Sequence, residues 1–301
     1  NKGLLCSIQI HKKYQNHRNM QRLNIFFIAL TLLFSGEVSL AQQSVPKRIV
    51  SLNGTLTEVV DALGLSKSIV ATDVTSDYPA YVKSLPKVSK NRSVSAEGVS
   101  AFRPDLVLAI EGELSPDVQS QLKALKIRVA LIKQEFTVNG VVQLVKSVGS
   151  AVNMSTQANT LATQLQKDIN QAAAASKSKK AVKTMFVYAR GAGAMSVAGD
   201  NTAVDAVIKL AGGQNALKGF TGFKTYNTEA LVAANPDAIL LFDFGLSSLG
   251  GKEGILKMPG INLTTAGKNK RIVTMDATLL NNFSIRLPLA IRTLHEKISA
   301  N

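Results

Sequence analysis

Few side chains in this sequence can do chemistry by themselves. Its 301 residues include one cysteine, Cys6, and three histidines, His11, His17 and His295. After residue 41 only His295 remains and no thiol follows. One imidazole, without a thiol and without a Gly-x-Ser-x-Gly elbow, provides no nucleophile–base pair, so catalysis is not expected. A bare zinc or manganese site needs several imidazole and carboxylate ligands. His295, alone on a C-terminal helical stretch, reads as a surface residue. Phenols remain. Tyr78, Tyr81, Tyr188 and Tyr226 each carry an oxygen that, as phenolate, can bind ferric iron.

Among these, Tyr78 has the most suggestive setting. It closes the polar run Thr72-Asp73-Val74-Thr75-Ser76-Asp77-Tyr78-Pro79, directly after a short apolar segment. Loops at the carboxyl ends of strands are where open α/β sheets hold ligands. Pro79 biases Tyr78 toward an extended backbone. On chemistry alone, ligation of haem iron by this phenol competes with a ring that packs locally and leaves its hydroxyl in water. A second loop, Tyr188-Ala189-Arg190-Gly191-Ala192-Gly193-Ala194, also follows an apolar run. Its glycines let the backbone approach a flat ligand. As a nucleotide fingerprint it fails, because Ser196 stands where the third glycine belongs.

The elements that must position these loops alternate between two periodicities. Strands are expected over 48–52, 69–71, 127–132, 184–188 and 271–275. Helices are expected over 57–63, 116–125, 138–152, 155–176 and 203–211. The chain also repeats itself once, without gaps. Glu97-Gly98-Val99-Ser100-Ala101-Phe102-Arg103-Pro104-Asp105-Leu106-Val107-Leu108 lies over Glu229-Ala230-Leu231-Val232-Ala233-Ala234-Asn235-Pro236-Asp237-Ala238-Ile239-Leu240. Each copy reads as a short helix, a Pro-Asp stop and a buried parallel strand. Strand–helix alternation in both halves predicts an α/β protein of two Rossmann-like lobes with parallel sheets. The segment 155–176 has Leu161, Leu165 and Ile169 at four-residue spacing and no Gly or Pro. It is long enough to be a single stiff strut between the lobes. The boundaries expected are 42–152 for the first lobe, 153–178 for the linking helix and 179–301 for the second.

Residues 1–41 are set apart as leader and signal peptide. Arg22, the apolar run 23–34 and the small residues of Ser39-Leu40-Ala41 have the order of an export signal. Export to the periplasm is therefore expected, with no lipid-anchoring cysteine after the signal. The formal charge is +15; residues 1–41 hold five basic side chains and one acid, so 42–301 keep +11. These charges are scattered and aromatics make up only 5% of the chain, which argues against a nucleic-acid surface. No apolar run after Phe34 is long enough to span a bilayer.

Over 47–296 the sequence resembles the haem-binding proteins of bacterial haem ABC importers. These belong to the wider group of iron-complex and cobalamin periplasmic binding proteins, whose architecture is called class III. The resemblance rests on Lys47-Arg48-Ile49-Val50-Ser51-Leu52, Tyr78-Pro79, Leu85-Pro86-Lys87-Val88 and Ser95-Ala96-Glu97-Gly98-Val99. In the second half it rests on Val197-Ala198-Gly199-Asp200-Asn201-Thr202-Ala203, Leu210-Ala211-Gly212-Gly213-Gln214-Asn215-Ala216 and Pro259-Gly260. It implies haem carried in an interlobe cleft, with Tyr78 as axial ligand to Fe(III). It implies that Glu97 and Glu229, equivalent in the repeat, dock onto arginines of a membrane permease. Arg190 stands where such proteins carry His or Arg. A guanidinium has no lone pair to give, so its expected role is pairing with a propionate or with the Tyr78 phenolate, beside Gly191. Arg92 is a further propionate candidate. Phe223 occupies a position where tyrosine is common, and Arg286, within Phe283-Ser284-Ile285-Arg286-Leu287-Pro288, reads as structural. A monomer is expected. A ferric siderophore or cobalamin on the same scaffold is the alternative cargo.

Overall fold

The computed structural model describes residues 44–191 and 195–300. The expected leader and signal peptide lie outside the described residues, as do Ala192, Gly193 and Ala194 of the glycine-rich loop. The first lobe runs β1 (Ile49–Ser51), α1 (Gly54–Ala62), β2 (Ile69–Thr72), α2 (Ala96–Ser100), β3 (Leu106–Ile110), α3 (Pro116–Ala124), β4 (Arg128–Ile132) and α4 (Val138–Ala151). Its strands form one parallel sheet in the order β2-β1-β3-β4. Every residue of β3 is buried, as a central parallel strand covered on both faces requires.

A long helix, α5 (Ser155–Ala175), leads into the second lobe. There follow β5 (Lys183–Ala189), β6 (Met195–Ala198), α6 (Ala203–Leu210), β7 (Gln214–Asn215), β8 (Phe223–Thr225), α7 (Thr228–Ala234) and β9 (Ala238–Phe242). The lobe finishes with α8 (Asp243–Ser248), α9 (Gly251–Leu256), α10 (Thr265–Lys268), β10 (Ile272–Met275), α11 (Ala277–Asn281) and α12 (Leu287–Ser299). Strands β10, β9 and β5 are parallel, as expected for an α/β lobe. Beyond β5 the sheet turns antiparallel through β6 and β8, a mixed edge that the sequence periodicity does not reveal. The turn into it uses Gly191 at φ +81°, a backbone region that glycine enters without steric cost.

The sequence repeat is a physical one. In both copies the residue before the proline is left-handed, Arg103 at φ 46° and Asn235 at φ 41°. The following aspartate then receives the entrance of the neighbouring strand. Asp105 accepts from the backbone N–H groups of Lys47 (2.8 Å) and Arg48 (3.1 Å), and Asp237 accepts from that of Lys183 (2.9 Å). The helix over 57–63 begins earlier than its apolar pattern suggests, because the Asn53 carboxamide caps Thr55 N–H at 2.8 Å.

Helix α5 buries Ala158, Ala162, Leu165, Ile169 and Ala172 along one stripe. It approaches α4 so closely that a Cβ on Gly149 would sit 2.0 Å from the Cβ of Ala158. A continuous hydrophobic core runs from Ile49, Leu56 and Leu144 through Leu165 and Ile169 to Phe186, Val207, Phe283 and Leu294. The two lobes are thus joined by a shared interior as well as by the linking helix.

Candidate functional site

Tyr78 sits on a loop held by its own polar residues. The Asp73 carboxylate, itself buried, accepts from Thr75 N–H at 2.9 Å and from the hydroxyls of Thr75 and Ser76. The Ser76 hydroxyl lies 3.0 Å from that of Thr57, which donates to Ser51 Oγ at 2.8 Å. Lys87 closes the other side, its Nζ donating to Thr72 Oγ1 (2.9 Å) and to the carbonyl of Ser76 (2.7 Å). Burial pushes the Lys87 ammonium below its usual range, against the pull of Asp77 and Asp73. The Tyr78–Pro79 bond is cis, and Pro79 opens the short 3-10 turn Ala80–Ser84. The ring of Tyr78 emerges from this frame 39% exposed.

One guanidinium covers it. The Cζ of Arg286 lies 3.7 Å from the centroid of the Tyr78 ring, well within cation–π range. Arg286 belongs to the second lobe, on the segment between β10 and α12, so Tyr78 stands at the seam between the lobes. The same segment is fastened to the first lobe by polar bonds. Asn282 O accepts from the Thr55 hydroxyl (2.5 Å) and from Gln134 Nε2 (3.2 Å). Ser284 Oγ donates to Thr55 O at 3.0 Å. Arg286 Nη2 meets Glu58 Oε1 at 2.5 Å, and Asn282 Nδ2 donates to that oxygen at 2.8 Å. Desolvation raises the Glu58 carboxyl above its ordinary range, although Arg286 and Asn282 pull the other way. Phe283, buried and left-handed at φ 49°, meets Phe136 edge-on at 5.7 Å beside these bonds.

On the second lobe, Arg190 turns to its own strand. Its Nε donates to the Tyr188 hydroxyl at 2.6 Å and its Cζ lies 4.9 Å over Phe244. Tyr188 packs edge-on against Phe242 (6.1 Å) and Phe244 (6.0 Å), and Phe186 against Phe242 (4.8 Å). Phe244 and Phe223, 36% and 48% exposed, continue this aromatic wall to the surface. Gly191 N–H donates to Ser248 Oγ at 3.0 Å. The wall lies at the carboxyl ends of β5 and β9, as Tyr78 lies beyond that of β2.

The other expected residues are spread more widely. Arg92 is exposed on the loop before α2. Glu97 and Glu229 are exposed in the first turns of α2 and α7, which Ser95 and Asn227 cap. Neither forms an ion pair among the described residues. His295 places Nδ1 3.0 Å from the carbonyl of Ala211. Glu58 escaped the sequence reading, as did the roles of Lys87 and Arg286 in the Tyr78 frame. Glu58 left a trace, an acid set between Leu56, Val59 and Val60 on an otherwise buried helix.

A family model for periplasmic binding proteins matches residues 49–279. The chain belongs to the periplasmic binding protein family. Among solved structures it is similar to the periplasmic haem-binding protein RhuT from Roseiflexus sp. RS-1, with 34% identity and a TM-score of 0.80 over 85% of this chain and 98% of that one. It is equally similar to the periplasmic haem-binding protein BhuT in complex with two haems, with 36% identity and a TM-score of 0.80 over 84% and 98%. Among curated proteins, a vitamin B12-binding protein of Vibrio vulnificus (strain CMCP6) is 25% identical over 90% of this chain and 96% of its own length. The two-lobed class III architecture expected from the sequence is therefore the fold of this binding protein, and the family and the compared structures are binding proteins rather than enzymes.

Proposed function

We propose that this binding protein is a non-catalytic periplasmic carrier that takes haem between its lobes and delivers it to a membrane ABC permease. The lobes are residues 42–152 and 179–301, with 153–178 between them. The observation that carries the reading is Tyr78: an accessible phenol at the interlobe seam, on a loop stiffened by Asp73 and Lys87, with a guanidinium over its face. Its oxygen would ligate Fe(III) as phenolate, and the fixed charge of Arg286 favours an anionic phenolate–iron unit. The aromatic wall of Tyr188, Phe242 and Phe244 suits the flat apolar body of a porphyrin. Arg190 and Arg92 would meet propionates, with Gly191 allowing close approach. The 34–36% identity to haem-binding proteins over most of the chain supports the same cargo.

Delivery would use Glu97 and Glu229, two exposed carboxylates at equivalent places of a repeat, as a two-point electrostatic latch on the permease. The carrier would act as a monomer. Cobalamin, the ligand in the name of the Vibrio relative, is the second reading. Hemin titration separates them. The wild-type protein is expected to give a ferric tyrosinate absorption spectrum, resistant to excess cyanocobalamin and absent in Tyr78→Ala. An unchanged spectrum in Tyr78→Ala removes this ligand; cobalamin binding without hemin binding removes the cargo.

A further inference from the structure

Glu58 lies in the first lobe on α1, with a side chain that is fully buried. Only one of its oxygens is used. Oε1 accepts from Arg286 Nη2 at 2.5 Å and from Asn282 Nδ2 at 2.8 Å, both donors coming from the second lobe, while Oε2 has no partner among the described residues. Arg286 Nη2 donates also to Thr278 Oγ1 at 3.0 Å, and Arg286 Nε is buried without a partner among the described residues. A buried carboxylate left with an unsatisfied oxygen costs stability, and an apolar residue of similar volume commonly replaces such a pair without loss. Stability alone therefore does not require this arrangement. Its geometry offers another account. The bond to Glu58 and the bond to Thr278 hold Nη2 from two sides, and in that pose Cζ stands 3.7 Å over the Tyr78 ring. The Arg286 side chain is only 14% exposed and makes no other ion pair among the described residues.

We propose that Glu58 is a positioning residue for the cargo site: it orients Arg286 across the interlobe seam so that the guanidinium lies flat on Tyr78. This deepens the haem reading and rests on it for its consequence, namely that the environment of the iron–phenolate bond depends on the seam being closed.

The test uses the purified protein with tyrosine rings labelled with carbon-13. Arg286→Met gives the Tyr78 ring resonance without its cation. Glu58→Met, close in volume but unable to accept a hydrogen bond, is expected to move the resonance to that same place. Glu58→Gln, which keeps an oxygen acceptor but loses the negative charge that strengthens the bond from Arg286, is expected to fall between. With hemin bound, the phenolate-to-iron charge-transfer band should shift in the same order at unchanged stoichiometry. A folded Glu58→Met protein whose Tyr78 resonance stays at the wild-type position overturns the proposal. If Glu58→Met does not fold, Glu58→Gln decides alone, and an unmoved resonance overturns the proposal equally. If wild-type protein takes up no hemin, the cargo reading falls, yet the ring resonances still decide whether Glu58 positions Arg286.

Discussion

Phe283→Ala tests whether the two lobes are one cooperative body. The side chain is 2% exposed and meets Phe136 edge-on at 5.7 Å, ring planes 85° apart, in the core that joins the lobes. Removing a buried phenyl ring from a packed core costs about 3–5 kcal/mol. For a protein of this size that corresponds to a fall in melting temperature of roughly 6–20 °C. The backbone sharpens the test. Phe283 is left-handed at φ 49°, a strain that alanine retains and glycine relieves by about 1–2 kcal/mol. Phe283→Gly should therefore be no less stable than Phe283→Ala, the reverse of the usual order. In a double-mutant cycle with Phe136→Ala, the rings should couple by about 0.5–1.5 kcal/mol. The assay is urea unfolding followed by circular dichroism, with calorimetry for the number of transitions. A loss below about 1 kcal/mol, or two well-separated transitions in the wild type, would refute a shared core as the joint.

Four further outcomes follow from named contacts. Gly149→Ala forces a Cβ to 2.0 Å from that of Ala158; thermal melts should show about 1–3 kcal/mol lost, by overpacking of α4 on α5. Lys87→Met removes the donor that joins Thr72 to the Ser76 carbonyl, and hemin titration should show about tenfold weaker binding as the Tyr78 loop loosens. For Asp276, burial alone would raise the carboxyl. Hydrogen bonds from the Thr278 hydroxyl and the Leu279 N–H, with the charge of Arg286, outweigh it and hold the group below its ordinary range. Stability from Asp276 is thus present above the unfolded value of about 3.9 and lost as pH falls through the folded one. Asp276→Asn should flatten the acid limb of a stability–pH profile below about pH 4. Finally, Glu97→Arg with Glu229→Arg should abolish haem import by cells while leaving hemin titration of the purified protein unchanged.

Much of the architecture was legible because it is local. The Pro-Asp stops of the repeat announce two copies of one helix–strand unit, and each aspartate then ties the same kind of neighbour. The helix over 155–175 showed itself by its four-residue spacing. The antiparallel edge did not, since Met195–Ala198 and Phe223–Thr225 are short and carry no period that sets them apart from loop. The start of α1 was missed because Asn53, a capping side chain, outranks the apolar pattern that begins four residues later.

The sequence by itself determined the class of fold, the scarcity of catalytic groups and the loop on which the candidate phenol rides. Those properties follow from composition and from periodicities a few residues long. Only the tertiary structure decided what stands over Tyr78. Glu58, Tyr78 and Arg286 are separated by up to 228 positions, and no pattern along the chain distinguishes a surface arginine from one drawn across a seam. That choice is made by packing: once α5 and α12 share a core with the first lobe, a guanidinium and a carboxylate are buried together and have to pair.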